Sequence, residues 1–384
     1  MVELRRAFHR RPELAFEEAA TAKAIMAELD RLGIPYDYQG VGGGLVGRLV
    51  GEHARSAANR ITVALRAEMD ALPGTETTGL SFASAVPNRM HACGHDAHMA
   101  MVLGSAALLA ASPPPGTVLF VFQPAEERGG GARTVIESGA LEGISAIFGG
   151  HVTHHYRVGE IMVADGVITS QSDRFEIDIR GRGGHGARPH EATDAVVVAG
   201  LLISALQTLV SRQLNPVFPS VLTIGQVNAG SAPNVIAEEA HLTGTLRTTV
   251  TEVREKLHSG LIRMCTAIGD AHDADVSVRI TEGYPPVVNT TLESAIARVV
   301  AADLVGADNV MKMDHPSMGA EDFAYYLQRF PGCYVRFGAR ISECAYVPLH
   351  SPAFDIDEGV LAVGAAFFER VARQAIRDFS AVGT

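Results

Sequence analysis

Cysteine, tryptophan and positive charge are all scarce in this chain. Its 384 residues include no tryptophan and only four cysteines, Cys93, Cys265, Cys333 and Cys344. Four widely spaced cysteines do not form a disulfide framework, so we expect a reducing, cytoplasmic setting. The 32 lysines and arginines are outnumbered by 43 aspartates and glutamates, which gives a formal net charge of −11. This balance argues against binding nucleic acid through phosphate neutralisation.

Long apolar runs are also missing. No run approaches the roughly 20 residues that a membrane-spanning helix requires. The N-terminal MVELRRAFHRRPELAFEE has no apolar centre of the kind found in signal peptides. We therefore expect no membrane association. Hydrophobic residues nevertheless make up 47% of the chain, which excludes a disordered or fibrous protein, and the length suggests roughly two or three domains.

The apolar pattern predicts an α/β domain interrupted by a smaller one. Apolar residues between positions 4 and 29 recur at helical spacing, and buried strands are predicted at 61–65, 117–122 and 146–148. A long apolar helix, 99–111, lies between the first two strands. Strands that alternate with helices favour a largely parallel sheet.

The pattern changes near residue 170. Phe175, Ile177 and Ile179 alternate with charged residues, which is typical of a strand with one solvated face. Up to about residue 281 the predicted elements follow the order strand–helix–strand–strand–helix–strand, which is the ferredoxin-like order. We predict an outer domain of residues 1–168 and 284–384 around an insert of residues 169–283.

Several of the 15 histidines stand next to cysteine or carboxylates, in four clusters. The clusters are HACGHDAH at 91–98, QPAEE at 123–127, GGH at 149–151 and PLHSP at 348–352. Two of them directly follow predicted strands, where ligands gather in open α/β sheets. Taken singly, each cluster also fits a plain structural role: a helix cap, a charged helix start, or loop residues.

A two-metal centre explains all four clusters together. Its ligands would be Cys93, His95, Glu127, His151 and His350, with Cys93 or a water molecule as the bridge. Adjacent carboxylates repel, so Glu126 would act as general base for the water nucleophile while Glu127 binds metal. Thiolate and imidazole suit Zn, Co or Ni, and carboxylate and water ligands suit Mn.

These ordered motifs resemble the amidohydrolase branch of the metallopeptidase superfamily that includes aminoacylases, hippurate hydrolase, auxin-conjugate hydrolases and carboxypeptidase G. The resemblance covers nearly the whole chain. The segments that carry it are RRAFHRRPELAFEE, RAEMDALPG, HACGHDAHMA, QPAEE, GGHV, GRGGHGARPH, APNVI, GTLRT, MGAEDFAYYL and LHSPAFD.

The resemblance implies the same five ligands, with Glu126 as the catalytic base and two divalent metal ions per subunit. Mn²⁺ or Zn²⁺ is expected, with Co²⁺ or Ni²⁺ as alternatives. The implied fold is an α/β metal-binding catalytic domain with a mixed, largely parallel sheet, plus an inserted ferredoxin-like α+β domain that acts as lid and dimerisation domain. A homodimer also fits the apolar helix of the insert, which contains Val196, Val197, Leu201, Leu202 and Leu206.

Within the insert, His185 matches a family histidine that reaches an active site, either its own or that of the partner subunit. Such a histidine can polarise the scissile carbonyl. Asn234 and Arg247 match positions that contact substrate, and the arginine guanidinium is suited to binding a carboxylate. The alternative is a structural role, with Asn234 as a turn residue after Pro233 and Arg247 as an exposed strand residue. Asp70 would orient a metal ligand.

The chain departs from the family pattern at three places. Glu68 stands where much of the superfamily has histidine, Arg128 where glycine is usual, and Ala237 where proline is usual. Each departure can alter the pocket, so the substrate of a close relative is not assumed.

The resulting hypothesis is a metal-dependent hydrolase of N-acyl amino acids or related small amide conjugates. Alternatives are a dipeptidase or carboxypeptidase, an aminohydrolase for another small carboxylate-bearing substrate, a hydrolase with Cys93 as nucleophile, and a non-catalytic metal-stabilised binding module. The sequence leaves the acyl group, the amino acid and the native metal open.

Overall fold

The computed structural model describes residues 1–51, 61–341 and 346–382. Within them the α-helices are α1 (Val2–Arg10), α2 (Ala19–Leu32), α3 (His95–Ala111), α4 (Gly131–Glu137), α5 (Ala195–Thr208), α6 (Thr251–Ala271), α7 (Thr291–Val305), α8 (Phe323–Leu327) and α9 (Val360–Val382). The strands are β1 (Tyr36–Tyr38), β2 (Leu45–Val50), β3 (Thr62–Glu68), β4 (Leu72–Pro73), β5 (Arg89–Met90), β6 (Thr117–Gln123), β7 (Ala146–Arg157), β8 (Ile161–Met162), β9 (Gly166–Val167), β10 (Gln171–Arg180), β11 (Gly184–His185), β12 (Ser220–Ala229), β13 (Val235–Ile236), β14 (Glu239–Thr248), β15 (Asp275–Glu282), β16 (Val288–Asn289), β17 (Val310–Met311) and β18 (Gly332–Arg340).

The chain divides into two compact units. Unit 1 comprises residues 1–168, 287–315 and 322–384, and unit 2 comprises residues 169–286 and 316–321. The sequence predicted that all of 284–384 belongs to the outer domain, whereas residues 284–286 and 316–321 group with unit 2. A backbone hydrogen bond from Ser170 N to Ser317 O contributes to holding this short segment there.

Unit 1 is built on a mixed, largely parallel sheet. Its described strands run in the order β1-β2-β6-β3-β7-β18-β8-β17, and the central β6, β3, β7 and β18 pair in parallel. Every residue of β6 is buried. Such continuous apolar runs are expected for strands covered on both faces. Helices α3 and α9 pack against each other and against β3, which confirms the predicted fold class.

The N-terminal region contains two helices where the sequence suggested one helical element. Helix α1 ends at Arg10 and α2 begins at Ala19. Pro12 explains the break, because a residue before proline is pushed out of the α region; Arg11 has φ −131° and ψ 59°. Phe16, with φ 64°, then turns the chain into α2.

Unit 2 has the predicted ferredoxin-like arrangement. Its antiparallel sheet has the order β12-β14-β10-β15, and α5 and α6 connect the strands. The apolar side chains of β10 alternate into a core with those of β14 and both helices. Asp194 caps α5 by accepting hydrogen bonds from Val196 N and Val197 N.

The same helix qualifies one prediction. By length and composition alone, the helical segment Ala195–Gln213 could cross a membrane, so the expectation that no apolar run is long enough is wrong for this segment. One such helix is weak support for a membrane span, because the core helices of globular proteins can have the same length and apolar composition. Leu202 and Leu206 are fully buried in the core of unit 2, whereas Val196, Val197 and Leu201 are 47%, 51% and 41% exposed.

Candidate metal centre

The predicted site residues of unit 1 gather where the strand order of its sheet reverses. From β3 the chain passes through α3 to β6 on one side, and later continues in β7 on the other side. The carboxyl ends of such neighbouring strands form a crevice that binds ligands in open α/β sheets. Asp70 follows β3, Glu126 and Glu127 follow β6, and Cys93 and His95 lie at the start of α3.

A glycine allows Cys93 and His95 to occupy one turn. Gly94 has φ 86°, in the left-handed region, and a Cβ on it would collide with Val152 Cγ2. This close approach brings the start of α3 against β7. The side chains of Cys93 and His95 are 7% and 1% exposed, so both are desolvated.

His151 faces the thiol of Cys93. The distance from Cys93 Sγ to His151 Nε2 is 3.3 Å, and His151 Nδ1 lies 2.7 Å from Val152 O. Because a carbonyl can only accept, Nδ1 carries the proton and Nε2 presents its lone pair to the thiol. Burial lowers the pKa of His151 well below its usual value, so the imidazole is neutral, as a metal ligand must be.

The sequence placed His151 just beyond a strand, and the structure places it inside one. Strand β7 continues to Arg157 because β18 pairs with it in parallel as far as that residue. The apolar pattern did not predict this extension, because the run Gly149-Gly150-His151 contains no apolar side chain.

Strained backbone brings the other two predicted ligands to the site. His350 has φ 66°, its backbone N–H donates to Ala92 O at 2.8 Å, and its Nε2 lies 3.2 Å from Glu127 Oε1. Ala125, just before the Glu126–Glu127 pair, has φ 51°. Non-glycine residues in this region cost of order 1–3 kcal/mol each and cluster at functional sites.

The donor atoms form overlapping groups. One consists of Cys93, His95 and His151, and another of Cys93, Glu127 and His350; within each group the donor atoms lie within 4.8 Å of one another. A further group joins His95 to Glu126 and Glu127. Two neighbouring cation positions that share the Cys93 sulfur fit this arrangement. The Nε2 of His95 supports the fit, since it is buried and has no hydrogen-bond partner among the described residues.

Asp70 contacts two of the proposed ligands, Glu127 through its backbone N–H and His95 through its ring. Its carboxylate accepts from Glu127 N at 3.0 Å, and His95 Nδ1 lies 2.8 Å from the backbone oxygen of Asp70 and 3.3 Å from its Oδ1. Burial alone would raise the pKa of Asp70, but the hydrogen bonds from His95 and Glu127 lower it. A carboxylate here keeps the proton of His95 on Nδ1 and leaves Nε2 aimed at the site.

The protonation of Cys93 bears on the cysteine-nucleophile hypothesis. Burial and the nearby carboxylates of Glu127 and Glu126 raise the pKa of the Cys93 thiol well above its usual value. Reactive cysteines need the opposite environment, with a lowered pKa and partial exposure. Without a cation the Cys93 thiol is therefore protonated and a poor nucleophile.

Polar residues that the sequence reasoning passed over anchor the start of α3. Asp96, fully buried, accepts from Arg5 Nε at 2.8 Å and lies 2.9 Å from His9 Nδ1. Burial would lower the pKa of His9, but hydrogen bonds to Asp96 and Glu76 raise it to about 9. Helix α1 is thus pinned to the helix that carries His95. The available signal was the pair Arg5 and His9, one helical turn apart.

The remaining predicted residues lie in unit 2. His185 is exposed on the short strand β11, paired with β13, and its Nδ1 accepts from Ala187 N at 3.1 Å. Asn234 is exposed, and its backbone oxygen accepts from Gly186 N at 2.8 Å. Arg247, half-buried on β14, donates from Nη1 to Met318 O at 2.9 Å.

Comparison with known proteins identifies the class to which this fold and site belong. The family model for peptidase family M20/M25/M40 matches residues 64–374. IAA-amino acid hydrolase ILR1-like 4 of Arabidopsis thaliana is 37% identical, covering 99% of this chain and 87% of that protein. N-acetylcysteine deacetylase of Bacillus subtilis is 38% identical, covering 97% of this chain and 96% of the relative.

A solved structure agrees with both relatives. The YXEP protein of Bacillus subtilis, a dinuclear metal binding peptidase from the M20 family, has a TM-score of 0.83 and 34% identity, covering 98% of this chain and 97% of that one. Fold, site and relatives therefore define a hydrolase that acts on amide bonds and has a mixed α/β catalytic unit. The chain belongs to peptidase family M20/M25/M40, and the resemblance noted in the sequence is confirmed.

Proposed function

We propose that this chain hydrolyses the amide bond of N-acyl amino acids or related amide conjugates with the help of two divalent metal ions, Mn²⁺ or Zn²⁺. The observation that carries the proposal is the pair of donor groups that share the Cys93 sulfur, with Glu126 beside them. Cations held there would polarise the substrate carbonyl and lower the pKa of a water molecule. Cys93, His95, Glu127, His151 and His350 are the proposed ligands.

Glu126 is the proposed general base. Its side chain is 6% exposed and lies in one donor group with His95 and Glu127. Glu127 is directed towards His350, which leaves Glu126 for proton transfer. It would take a proton from the attacking water and deliver it to the amine that leaves. Asp70 would keep His95 and the Glu127 backbone in place for this step.

Unit 2 would supply the groups that recognise the substrate. Because Ala187 N–H donates to His185 Nδ1, a neutral His185 ring carries its proton on Nε2. An exposed N–H donor is what an oxyanion forming on the scissile carbonyl requires. Arg247 and Asn234 are the proposed contacts of the substrate carboxylate, for which a guanidinium is well suited.

A substrate panel tests the proposed reaction. Metal-reconstituted protein should release amine from N-acetyl and N-benzoyl amino acids, and should act poorly on the matching amides without a carboxylate. Removal of a charged partner from a desolvated site typically costs 2–5 kcal/mol, so we expect a loss of at least about 30-fold in kcat/KM. Faster cleavage of free dipeptides than of any N-acyl amino acid would favour a dipeptidase instead. Turnover of no panel member would refute the proposal.

A homodimer through unit 2 is also proposed. Val196, Val197 and Leu201 form an exposed apolar strip on α5, and β12 is an edge strand with Val221 and Val227 exposed at 38% and 47%. An open edge and an apolar strip on one small unit are suited to a second copy of the chain.

Light scattering tests the dimer. We expect about twice the chain mass at micromolar concentration, and a shift towards the monomer in Val197→Glu. Val299→Glu, at a position of similar exposure (54%) on α7 of unit 1, is the matched control and should remain dimeric. A wild-type monomer, or equal effects of the two variants, would count against this interface.

A further inference from the structure

Two buried polar side chains beneath the candidate metal centre have no part in the proposed reaction. Glu68, at the end of β3, is 0% exposed, and His98, in the first turn of α3, is 1% exposed. Buried charged groups are expensive unless they are fully paired, so their contacts indicate what they do.

The contacts fix the orientation of both side chains. Arg66, which is also buried, forms ion pairs with Glu68 and with Asp322. The distance from Arg66 Nη2 to Asp322 Oδ1 is 2.7 Å. The other oxygen of Glu68 lies 2.8 Å from His98 Nδ1. On the far side of the ring, Val152 N–H donates to His98 Nε2 at 3.0 Å. Both nitrogens of His98 are therefore occupied at good hydrogen-bond distances.

This arrangement determines the tautomer of His98. Nε2 accepts a hydrogen bond from a backbone N–H, so it carries a lone pair and the ring proton is on Nδ1. That proton points to the Glu68 carboxylate, which can only accept. The carboxylate thus holds the imidazole in the one neutral form that can receive Val152 N–H.

The Val152 peptide lies directly beside a proposed ligand. His151 Nδ1 donates to Val152 O at 2.7 Å, and His98 accepts from Val152 N, so the two rings hold this residue at both ends. The rings of His98 and His151 also meet edge to face, with centroids 4.6 Å apart. In the described chain the pairing of β7 with β3 ends at Phe148. Beyond that point His98 Nε2, and not a carbonyl of β3, accepts the hydrogen bond from Val152 N–H.

We propose that Glu68 and His98 are positioning residues, which hold the Val152 peptide and thereby aim His151 Nε2 at Cys93 without binding metal themselves. The inference rests on the proposed metal centre. The competing role is a third cation position, because donor atoms of Glu68, His95 and His98 also lie within 4.8 Å of one another. Hydrogen bonds that already use both His98 nitrogens favour positioning.

Two substitutions of His98 separate these roles. In His98→Gln the side-chain amide lies about as far from the backbone as Nε2 does in histidine, so its oxygen can still accept from Val152 N–H. In His98→Asn the amide reaches only the depth of Nδ1, so it keeps the contact to Glu68 and loses the contact to Val152. Hydrogen exchange of the metal-free proteins measures that contact. We expect exchange at Val152 to be roughly tenfold faster in His98→Asn than in wild type, and close to wild type in His98→Gln.

Cobalt binding gives the second reading. In the wild type and His98→Gln, added Co²⁺ should show the same thiolate charge-transfer band from Cys93. In His98→Asn the band should shift, and the Co²⁺ affinity should fall 10–100-fold, as for loss of a group that orients a ligand. Equal loss of one cobalt equivalent in both variants would show that His98 is a ligand and overturn the proposal. Wild-type protein without a thiolate band would refute the proposed centre itself, whereas unchanged Val152 exchange in both variants would refute the positioning role.

Neutron diffraction from wild-type crystals needs no variant to fold. We expect a deuteron on His98 Nδ1, between the ring and Glu68, and none on Nε2. A deuteron on Nε2, or a cation within bonding distance of His98, would overturn the assignment.

Discussion

Replacement of Glu126 by glutamine should lower kcat by about 10²–10⁴-fold while the protein keeps its metal. The amide occupies nearly the same volume but cannot accept and return a proton. Glu126 shares a donor group with His95 and Glu127, yet it stands outside the two groups that contain Cys93. Its loss should therefore affect proton transfer far more than cation binding.

Steady-state kinetics together with metal analysis of the purified variant measure this effect. Glu142→Gln, which changes an exposed carboxylate of the same unit, is the matched control and should keep wild-type kcat. A Glu126→Gln enzyme with wild-type kcat would remove Glu126 from the mechanism. A variant that has lost its metal would show that Glu126 is a ligand instead.

Replacement of Cys93 by alanine should have an even larger effect, because its sulfur belongs to both donor groups proposed to hold cations. Each cation position loses a ligand at once. The loss of affinity should exceed the 10–100-fold that follows removal of a partner merely orienting a ligand. We expect the variant to retain less than one equivalent of metal after dialysis and to show no measurable turnover.

Cys265→Ala is the matched control for Cys93→Ala. Cys265 is also a free, fully buried thiol, but it lies in the core of unit 2. The control should lose a little stability and keep its metal and activity. If Cys93→Ala binds two equivalents with wild-type affinity, the shared-sulfur arrangement is wrong. If it is metal-free but active, Cys93 and metal are both dispensable for the reaction.

Much of the fold of unit 1 and unit 2 could be predicted from short-range patterns. The buried strand β6 reads as TVLFVFQ, and β10 alternates apolar and polar residues along its length. These patterns arise because a strand covered on two faces needs apolar residues throughout, and one covered on a single face needs every second residue. The five proposed ligands could also be found as sequence motifs, because metal ligands are drawn from few residue types.

What could not be predicted depends on partners distant in the chain. Strand β7 extends to Arg157 only because β18, about 180 residues later, pairs with it. The strand predicted at 61–65 ended before Arg66 and Glu68, which are the polar residues at the end of β3. Their role becomes clear only from their contacts with Asp322 and His98. Local apolar periodicity carries no information about such contacts.

The central claim is that amide hydrolysis by this chain depends on cations held around Cys93. The most direct test is to strip wild-type protein with a chelator and then measure turnover of an N-acyl amino acid against added Mn²⁺ or Zn²⁺. We predict that activity disappears on chelation and returns as about two equivalents per chain are bound. Metal-free protein that retains its full turnover would contradict the account.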